Sequence, residues 1–109
     1  MMFRLYHAKN LREVSFASSE EISALFHLGD NYEFVGYIDA ANLEEVYMKT
    51  QNIDEAWTSK IEASQLSLSK RAGCRSTSMG DVILDDDSSE YAVASFGFDN
   101  ITSTRVAKS

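Results

Sequence analysis

The chain has 109 residues, of which 44% are hydrophobic, 11% aromatic and 25% charged. These proportions are typical of one folded domain, and a chain of this length buries enough surface for a core without disulfides or metal ions. Ten basic and 17 acidic side chains give a formal charge of −7, and the absence of proline leaves the turns to Gly, Asn, Asp and Ser.

The single cysteine and the N-terminal residues bear on the compartment. Cys74 has no second cysteine with which to form an internal disulfide, which favours a reducing environment. The first residues lack the basic start and apolar core of a signal peptide, and no apolar run approaches the roughly 18 residues of a membrane span. We therefore expect a cytoplasmic protein that is not inserted in a membrane.

The first elements along the chain are a strand and a helix. Alternating apolar and polar side chains over residues 2–8 predict a half-buried strand. Ser18 followed three residues later by Glu21 forms a capping-box pattern, which predicts a helix over residues 19–28. Gly29 stands where a helix commonly ends in a left-handed residue.

The same order repeats in the next segment. Residues 32–38 are rich in aromatic and β-branched side chains and predict a second strand. Asn42 repeats the capping pattern and predicts a second helix over residues 43–51. Glu45 and Lys49, four residues apart, are placed to form a helical ion pair.

Residues 52–75 are predicted to form a long, partly ordered loop, because serines dilute the hydrophobic pattern there. Loops of this length are uncommon in compact domains and are often functional or disordered. Residues 61–80 carry a net charge of +2, from Lys70, Arg71 and Arg75 against Glu62. The remaining residues therefore carry −9.

The last third of the chain predicts a β-hairpin. Its strands cover residues 81–84 and 90–96, joined by the acidic turn 85–89. Residues 102–109 are predicted to be a frayed tail. The expected fold is α+β, one small domain with the order β-α-β-α and a C-terminal hairpin, its helices packed on one mainly antiparallel sheet.

Residues 71–81 contain the densest group of candidate binding residues. One interpretation is an anion or nucleic-acid site formed by two arginines and two serines, with glycines that let main-chain amides converge. Its members are Arg71, Arg75, Ser76 and Ser78. The other interpretation is a hydrogen-bonded turn that leads into the strand at Val82, with Gly80 at positive φ.

Catalysis and metal binding have weaker support in the sequence. Cys74 with His7 or His27 has the residue types of a nucleophilic pair, yet neither histidine lies in a context that indicates a catalytic base. The Asp85–Asp87 run lacks the ligand spacing of a calcium loop, and no Cys/His set has zinc spacing. No catalytic residue, metal or cofactor is predicted.

Acidic and aromatic side chains are the candidates for contact with a partner. Carboxylates near helix N-termini complement the helix dipole, and an acidic shell also suits a basic groove on another protein. An acidic body disfavours general DNA binding. Trp57 is a candidate anchor, although core burial is the common role of a single tryptophan. The candidates are Glu44, Glu45, Trp57, Asp85, Asp86 and Asp87.

Two C-terminal motifs carry a resemblance. The segments Arg75-Ser76-Thr77-Ser78-Met79-Gly80-Asp81-Val82-Ile83 and Tyr91-Ala92-Val93-Ala94-Ser95-Phe96-Gly97-Phe98 resemble those of a group of small tailed-bacteriophage proteins, and are distantly similar to YodL-like domains of mobile elements. Asn42–Val46 and Thr50–Asp54 also fit the phage group. The resemblance implies a phage or mobile-element protein in bacterial cytoplasm, and it carries no catalytic residue.

Two functions follow as expectations. The first is non-enzymatic binding of a host protein, in host takeover or defence evasion. The second is binding of nucleic acid or a nucleotide through the segment Arg71–Asp81.

Overall fold

A computed structural model describes residues 1–102 of the chain. These residues form three α-helices and five strands. In chain order they are β1 (Met2–Ala8), α1 (Leu11–Val14), α2 (Ser19–His27), β2 (Tyr32–Asp39), α3 (Leu43–Lys49), β3 (Val82–Leu84), β4 (Glu90–Val93) and β5 (Phe98–Asn100). Three short 3-10 helices, Trp57–Lys60, Ala63–Gln65 and Leu68–Lys70, lie between α3 and β3.

The five strands form one antiparallel sheet in the order β2-β1-β3-β4-β5. The predicted α+β fold with a mainly antiparallel sheet is therefore confirmed. None of the helices in residues 1–102 is long and apolar enough to cross a membrane.

Side chains on the two faces of the sheet form two separate apolar clusters. Phe3 and Leu5 of β1 pack beneath α3 and the 3-10 helices, together with Trp57. Ala8 of β1 points to the opposite face, where α1 and α2 contribute Val14 and Ile22. We call these two sides the α3 face and the α2 face.

The predicted helix signals are confirmed at both main helices. The Ser18 hydroxyl accepts from the Glu21 amide, and the Glu21 carboxylate accepts from the Ser18 amide. At α3, the Asn42 side chain accepts from the Glu45 amide. Gly29 has φ +75°, in the left-handed region expected after the end of α2.

The structure adds detail to one local prediction and shows two elements that were not predicted. Residues 52–75, predicted as a long, partly ordered loop, contain the three 3-10 helices, and the Ser67 amide donates to the Val35 carbonyl of β2 at 2.9 Å. The sequence also missed α1 and β5, which have four and three residues and are too short to show a period.

The predicted tail lies outside the described residues apart from its first member. Thr102 is held by the Glu90 amide, which donates to its hydroxyl at 2.6 Å. The preceding residue, Ile101, is fully buried on the α2 face. Thr102, the first residue of the predicted tail, is therefore held against β4.

Candidate functional site

An ion pair between Arg75 and Asp81 organises the segment before β3. Both terminal nitrogens of Arg75 donate to the Asp81 carboxylate at 2.8 Å. The same carboxylate accepts from the amides of Ala8 at 2.8 Å and Ser78 at 2.7 Å. Asp81 is fully buried, whereas the Arg75 side chain is 33% exposed. Because a buried carboxylate needs such donors, the pair ties the end of β1 to the start of β3.

Residues 76–81 form the predicted turn around this carboxylate. The Asp81 amide donates to the Ser78 carbonyl at 3.1 Å, and Gly80 has φ +92°. A Cβ atom on Gly80 would lie 2.4 Å from the Val14 Cγ2 atom of α1. Glycine is therefore required here by both its backbone angle and its close approach to α1.

The predicted anion site does not present four free polar groups. Arg75 is bound to Asp81, the Ser76 hydroxyl accepts from the Asn52 amide at 2.8 Å, and the Ser78 hydroxyl donates to the Ser76 carbonyl at 3.4 Å. Arg71 is exposed and forms no ion pair within residues 1–102. An anion at this segment would have to compete with Asp81 for Arg75, so its binding there stays a prediction.

Cys74 and His7 lie within hydrogen-bond distance on the α3 face, although they are 67 residues apart in the chain. The Cys74 Sγ atom is 3.5 Å from His7 Nδ1. The other ring nitrogen, Nε2, is 3.0 Å from the Thr77 hydroxyl and 3.8 Å from the Asp81 carboxylate. The carboxylate favours a proton on Nε2, which leaves Nδ1 to accept from the thiol.

Burial determines the protonation of this pair. Removal from water lowers the pKa of His7 to about 4 and raises the pKa of the Cys74 thiol. Near neutral pH the imidazole is therefore uncharged and the sulfur carries its proton, whereas nucleophilic attack requires the thiolate. Every buried side-chain nitrogen and oxygen in the described chain has a hydrogen-bond partner. This complete satisfaction is typical of a structural polar network.

The two acidic residues of α3 that were predicted to contact a partner, Glu44 and Glu45, differ in how many contacts they make within the chain. Glu45 pairs with Lys49 at 3.2 Å, as predicted, and its carboxylate also accepts from the Ala41 amide at 3.3 Å. These contacts lower the pKa of Glu45, the Lys49 hydrogen bond most strongly. Glu44 is exposed, and no ion pair of Glu44 is found within residues 1–102. Glu44 is therefore the freer of the two for an external partner.

Asp85–Asp87 lie in the turn between β3 and β4. One Asp85 carboxylate oxygen accepts from the amides of Asp87 and Ser89, each at 2.9 Å. Asp86 and Asp87 are exposed, and carboxylate oxygens of all three residues lie within 4.8 Å of one another. The turn therefore concentrates negative charge at one end of the sheet.

Trp57 is not on the surface. It is fully buried in the cluster on the α3 face, and its indole nitrogen donates to the Arg75 carbonyl at 2.9 Å. The expectation of core burial is confirmed, and its role as an exposed partner anchor was wrong.

A groove lies between α3 and the β4–β5 end of the sheet. It consists of two adjoining clefts, of about 440 and 560 Å³, which share Glu44 and Phe98. We call it the α3–β5 groove. The first cleft is lined by Met1, Phe3, Ala41, Asn42, Leu43, Glu44, Asp85, Tyr91 and Phe98. The second is lined by Glu44, Tyr47, Met48, Met79, Val93, Ala94, Ser95, Gly97 and Phe98.

The sequence did not identify the apolar members of this groove. Met48 is 72% exposed at the groove, and Phe96, in the turn between β4 and β5 beside it, is 97% exposed. The available signal was Met48 itself: it is an apolar residue that does not belong to the face of α3 formed by Leu43, Val46 and Tyr47. Phe96 was assigned to a strand, where its exposure was not predictable.

Comparisons with protein-family models, curated proteins and solved structures find no match for this chain.

Proposed function

We propose that this chain is a small, non-enzymatic protein of a tailed bacteriophage or mobile element that binds a host protein in the bacterial cytoplasm. The observation that carries the proposal is the α3–β5 groove, which is open to solvent and lined by apolar side chains together with the acidic residues Glu44 and Asp85. The phage origin is supported by the motifs at Arg75–Asp81 and Ser95–Phe98. Host takeover and defence evasion are the roles that such binding serves.

The apolar surface of the groove suits a protein partner. Methionine and aromatic side chains are enriched at protein interfaces, where they lose contact with water on binding. Met48 is 72% exposed and Phe96 is 97% exposed, and each is next in the chain, or nearly next, to a partly buried ring, Tyr47 or Phe98. Exposed apolar side chains beside an open cleft support an interaction surface.

The charges around the groove define the partner further. Glu44 and Asp85 line it, and Asp86 and Asp87 follow in the same turn. These carboxylates suit a partner whose contact surface is basic, since opposite potentials raise the association rate and exclude like-charged competitors. A host protein with a basic groove, such as one that binds nucleic-acid phosphates, has this chemistry.

Affinity capture from bacterial lysate tests the proposal. The tagged wild-type chain is compared with Glu44→Lys and Met48→Glu, and with Glu62→Lys as a matched charge reversal of an exposed glutamate outside the groove. Wild type and Glu62→Lys are expected to retain the same host protein, and both groove variants to lose it. The absence of a specific partner, or equal capture by all four proteins, would overturn the proposal.

A nucleic-acid partner is the alternative and predicts a different result. In that case labelled oligonucleotides bind at low salt, and Arg71→Ala, which removes the exposed arginine of the segment, weakens binding. Groove variants would then leave binding unchanged.

A further inference from the structure

The two outer strands of the sheet differ in how their free edges are covered. The edge of β2 is bridged at its middle, where Gly36 pairs with Leu66 and the Ser67 amide donates to the Val35 carbonyl. Within residues 1–102 no strand pairs with the outer side of β5. The groove reaches this open side through Phe98, which is its shared lining residue.

The hydrogen bonds between β4 and β5 show which main-chain groups point outward. The Ile101 amide donates to the Glu90 carbonyl at 2.9 Å. Antiparallel pairing alternates along a strand, so Asp99, two residues earlier, also faces β4. The amide and carbonyl groups of Phe98 and Asn100 therefore point away from the sheet. They offer two donors and two acceptors to a further strand.

We propose that the outer edge of β5 binds an extended, basic segment of the partner protein as a sixth strand. Alternate side chains of that segment lie beside Phe98 and enter the α3–β5 groove. The inference rests on the proposed function and specifies the chemistry of the partner. Main-chain hydrogen bonds supply affinity in such strand addition, and the clefts beside the strand select side chains.

Charge on both faces of β5 favours a basic occupant. Glu44 and Asp85 line the clefts on the α3 face. Asp99 lines a cleft of about 280 Å³ on the α2 face, together with the 94% exposed ring of Phe16. No lysine or arginine of the described chain lines any of these three clefts. An acidic segment would meet like charges on either side, whereas lysines of a basic one meet carboxylates.

Three matched peptides test this inference in solution. The first is a fluorescein-labelled octapeptide of alternating lysine and valine, the second replaces lysine with glutamate, and the third carries a methyl group on every backbone amide nitrogen of the first. Methylation keeps the charge and the apolar side chains but removes the main-chain donors from both edges of the peptide. Fluorescence anisotropy is expected to show binding of the first peptide and at least about tenfold weaker binding of the other two.

Variants of Asn100 provide the matching test on the protein. Asn100→Pro removes an outward amide and leaves the hydrogen bonds to β4 in place. Asn100→Ala also loses the side chain that accepts from the Thr102 amide but keeps the outward donor. The proline variant is expected to bind the lysine–valine peptide about tenfold more weakly than the alanine variant. Hydrogen exchange should slow at the Phe98 and Asn100 amides when the peptide binds wild type.

The outcomes separate this inference from the proposed function. Equal binding of the methylated peptide, or unchanged exchange at Phe98 and Asn100, overturns strand addition while host-protein capture still tests the groove. Formation of a dimer by the free protein in sedimentation, lost in Asn100→Pro, shows a second copy on the edge and overturns the basic partner. Failure of both capture and peptide binding overturns both proposals.

Discussion

Asp81 and His7 are polar side chains that are removed from water for different reasons. Four donors converge on the buried carboxylate of Asp81, two from Arg75 and two from main-chain amides. His7 has no such compensation for a positive charge, since burial and Arg75 outweigh the nearby carboxylate. Asp81 is therefore buried with its donors around it, and His7 is buried as a neutral ring.

Asp81→Asn is expected to lower the free energy of unfolding by about 3 kcal/mol, because an amide cannot accept all four donors and leaves Arg75 without its counter-ion. Urea unfolding measures the loss. Asp86→Asn, an exposed position in the β3–β4 turn, is the matched control and should change stability by less than about 0.5 kcal/mol. Equal losses in the two variants would contradict this account of Asp81.

The pKa of His7 makes stability depend on pH. Its folded value is about 4 against an ordinary value of 6.5, so the unfolded chain takes up the proton first as pH falls. The free energy of unfolding is therefore unaffected by protonation of His7 above about pH 6.5. It falls as the pH drops towards 4, by about 3 kcal/mol in total. Urea unfolding of wild type and His7→Gln at about pH 7.5 and pH 5 measures it. Between the two pH values, wild type should lose more stability than His7→Gln. Equal losses in the two proteins would contradict a buried neutral His7.

For single residues, the sequence predicted the local backbone conformation better than the side-chain contacts within the fold. The Ser76–Asp81 turn was predictable because Ser, Gly and Asp have local backbone preferences. The contact of His7 with Cys74 had no local signal, since it depends on how β1 and the segment before β3 meet in the folded chain. The same holds for Arg75, whose charge suggested an external anion before Asp81 was known to bind it.

Among the secondary-structure elements, α1 packs closely against the turn that precedes β3. Gly80 faces Val14, which is buried at the end of α1, and its own amide donates to the Val93 carbonyl of β4 at 2.9 Å. The short helix α1 is therefore positioned by a residue in a distant turn. Its four residues are too few to be stable without such packing.

Gly80→Ala is expected to reduce the free energy of unfolding by about 3 kcal/mol, as a methyl group would collide with Val14. Gly97→Ala is the matched control, because Gly97 also has positive φ, +81°, but a Cβ there meets nothing within 4 Å. It should lose only about 1 kcal/mol, the cost of the backbone angle. Thermal unfolding compares the two variants. A similar loss of stability in both would show that a methyl group at position 80 does not collide with Val14.

Helices with chemical end signals were the predictable elements. Ser18, Gly29 and Asn42 mark helix ends through their own side chains or backbone freedom, and the observed ends agree within two residues. β5 was missed because Gly97, Asp99 and Asn100 have turn preferences that pairing with β4 overrides. The 3-10 helices were missed because packing against β2 orders a serine-rich segment.

At the scale of the whole molecule, one sheet separates two apolar clusters. Leu5 and Ile83 point to the α3 face, and their neighbours Tyr6 and Val82 point to the α2 face. Both clusters therefore contain side chains from β1 and β3. Since β1 and β3 cannot unfold on one face alone, both clusters should melt in one transition.

Ile22→Ala on α2 tests this coupling through Trp57, which is the only tryptophan and lies on the other face. The variant should lose about 2 to 4 kcal/mol, because it leaves a cavity under α2. Urea transitions followed by tryptophan fluorescence and by far-ultraviolet circular dichroism are expected to coincide and to shift together. Ile53→Ala, at an exposed position, should leave both almost unchanged. Separate midpoints for the two signals would show independent clusters.

The charge balance was predictable from composition, but its arrangement was not. The sequence placed a net +2 in residues 61–80, yet Lys70 pairs with Glu33 and Arg75 with Asp81. The carboxylates that share one groove come from α3 and the β3–β4 turn, which are distant in the chain. Only the fold brings Glu44 and Asp85 together.

The unequal edges of the sheet limit self-assembly. A fibre grows when each copy offers two complementary surfaces, one for the copy before it and one for the copy after it. In the described chain β5 offers such a surface, whereas the 3-10 segment already bonds to the middle of β2. A strand added at β5 therefore ends the array instead of extending it. One open edge alone does not allow the sheet of residues 1–102 to polymerise by successive strand addition.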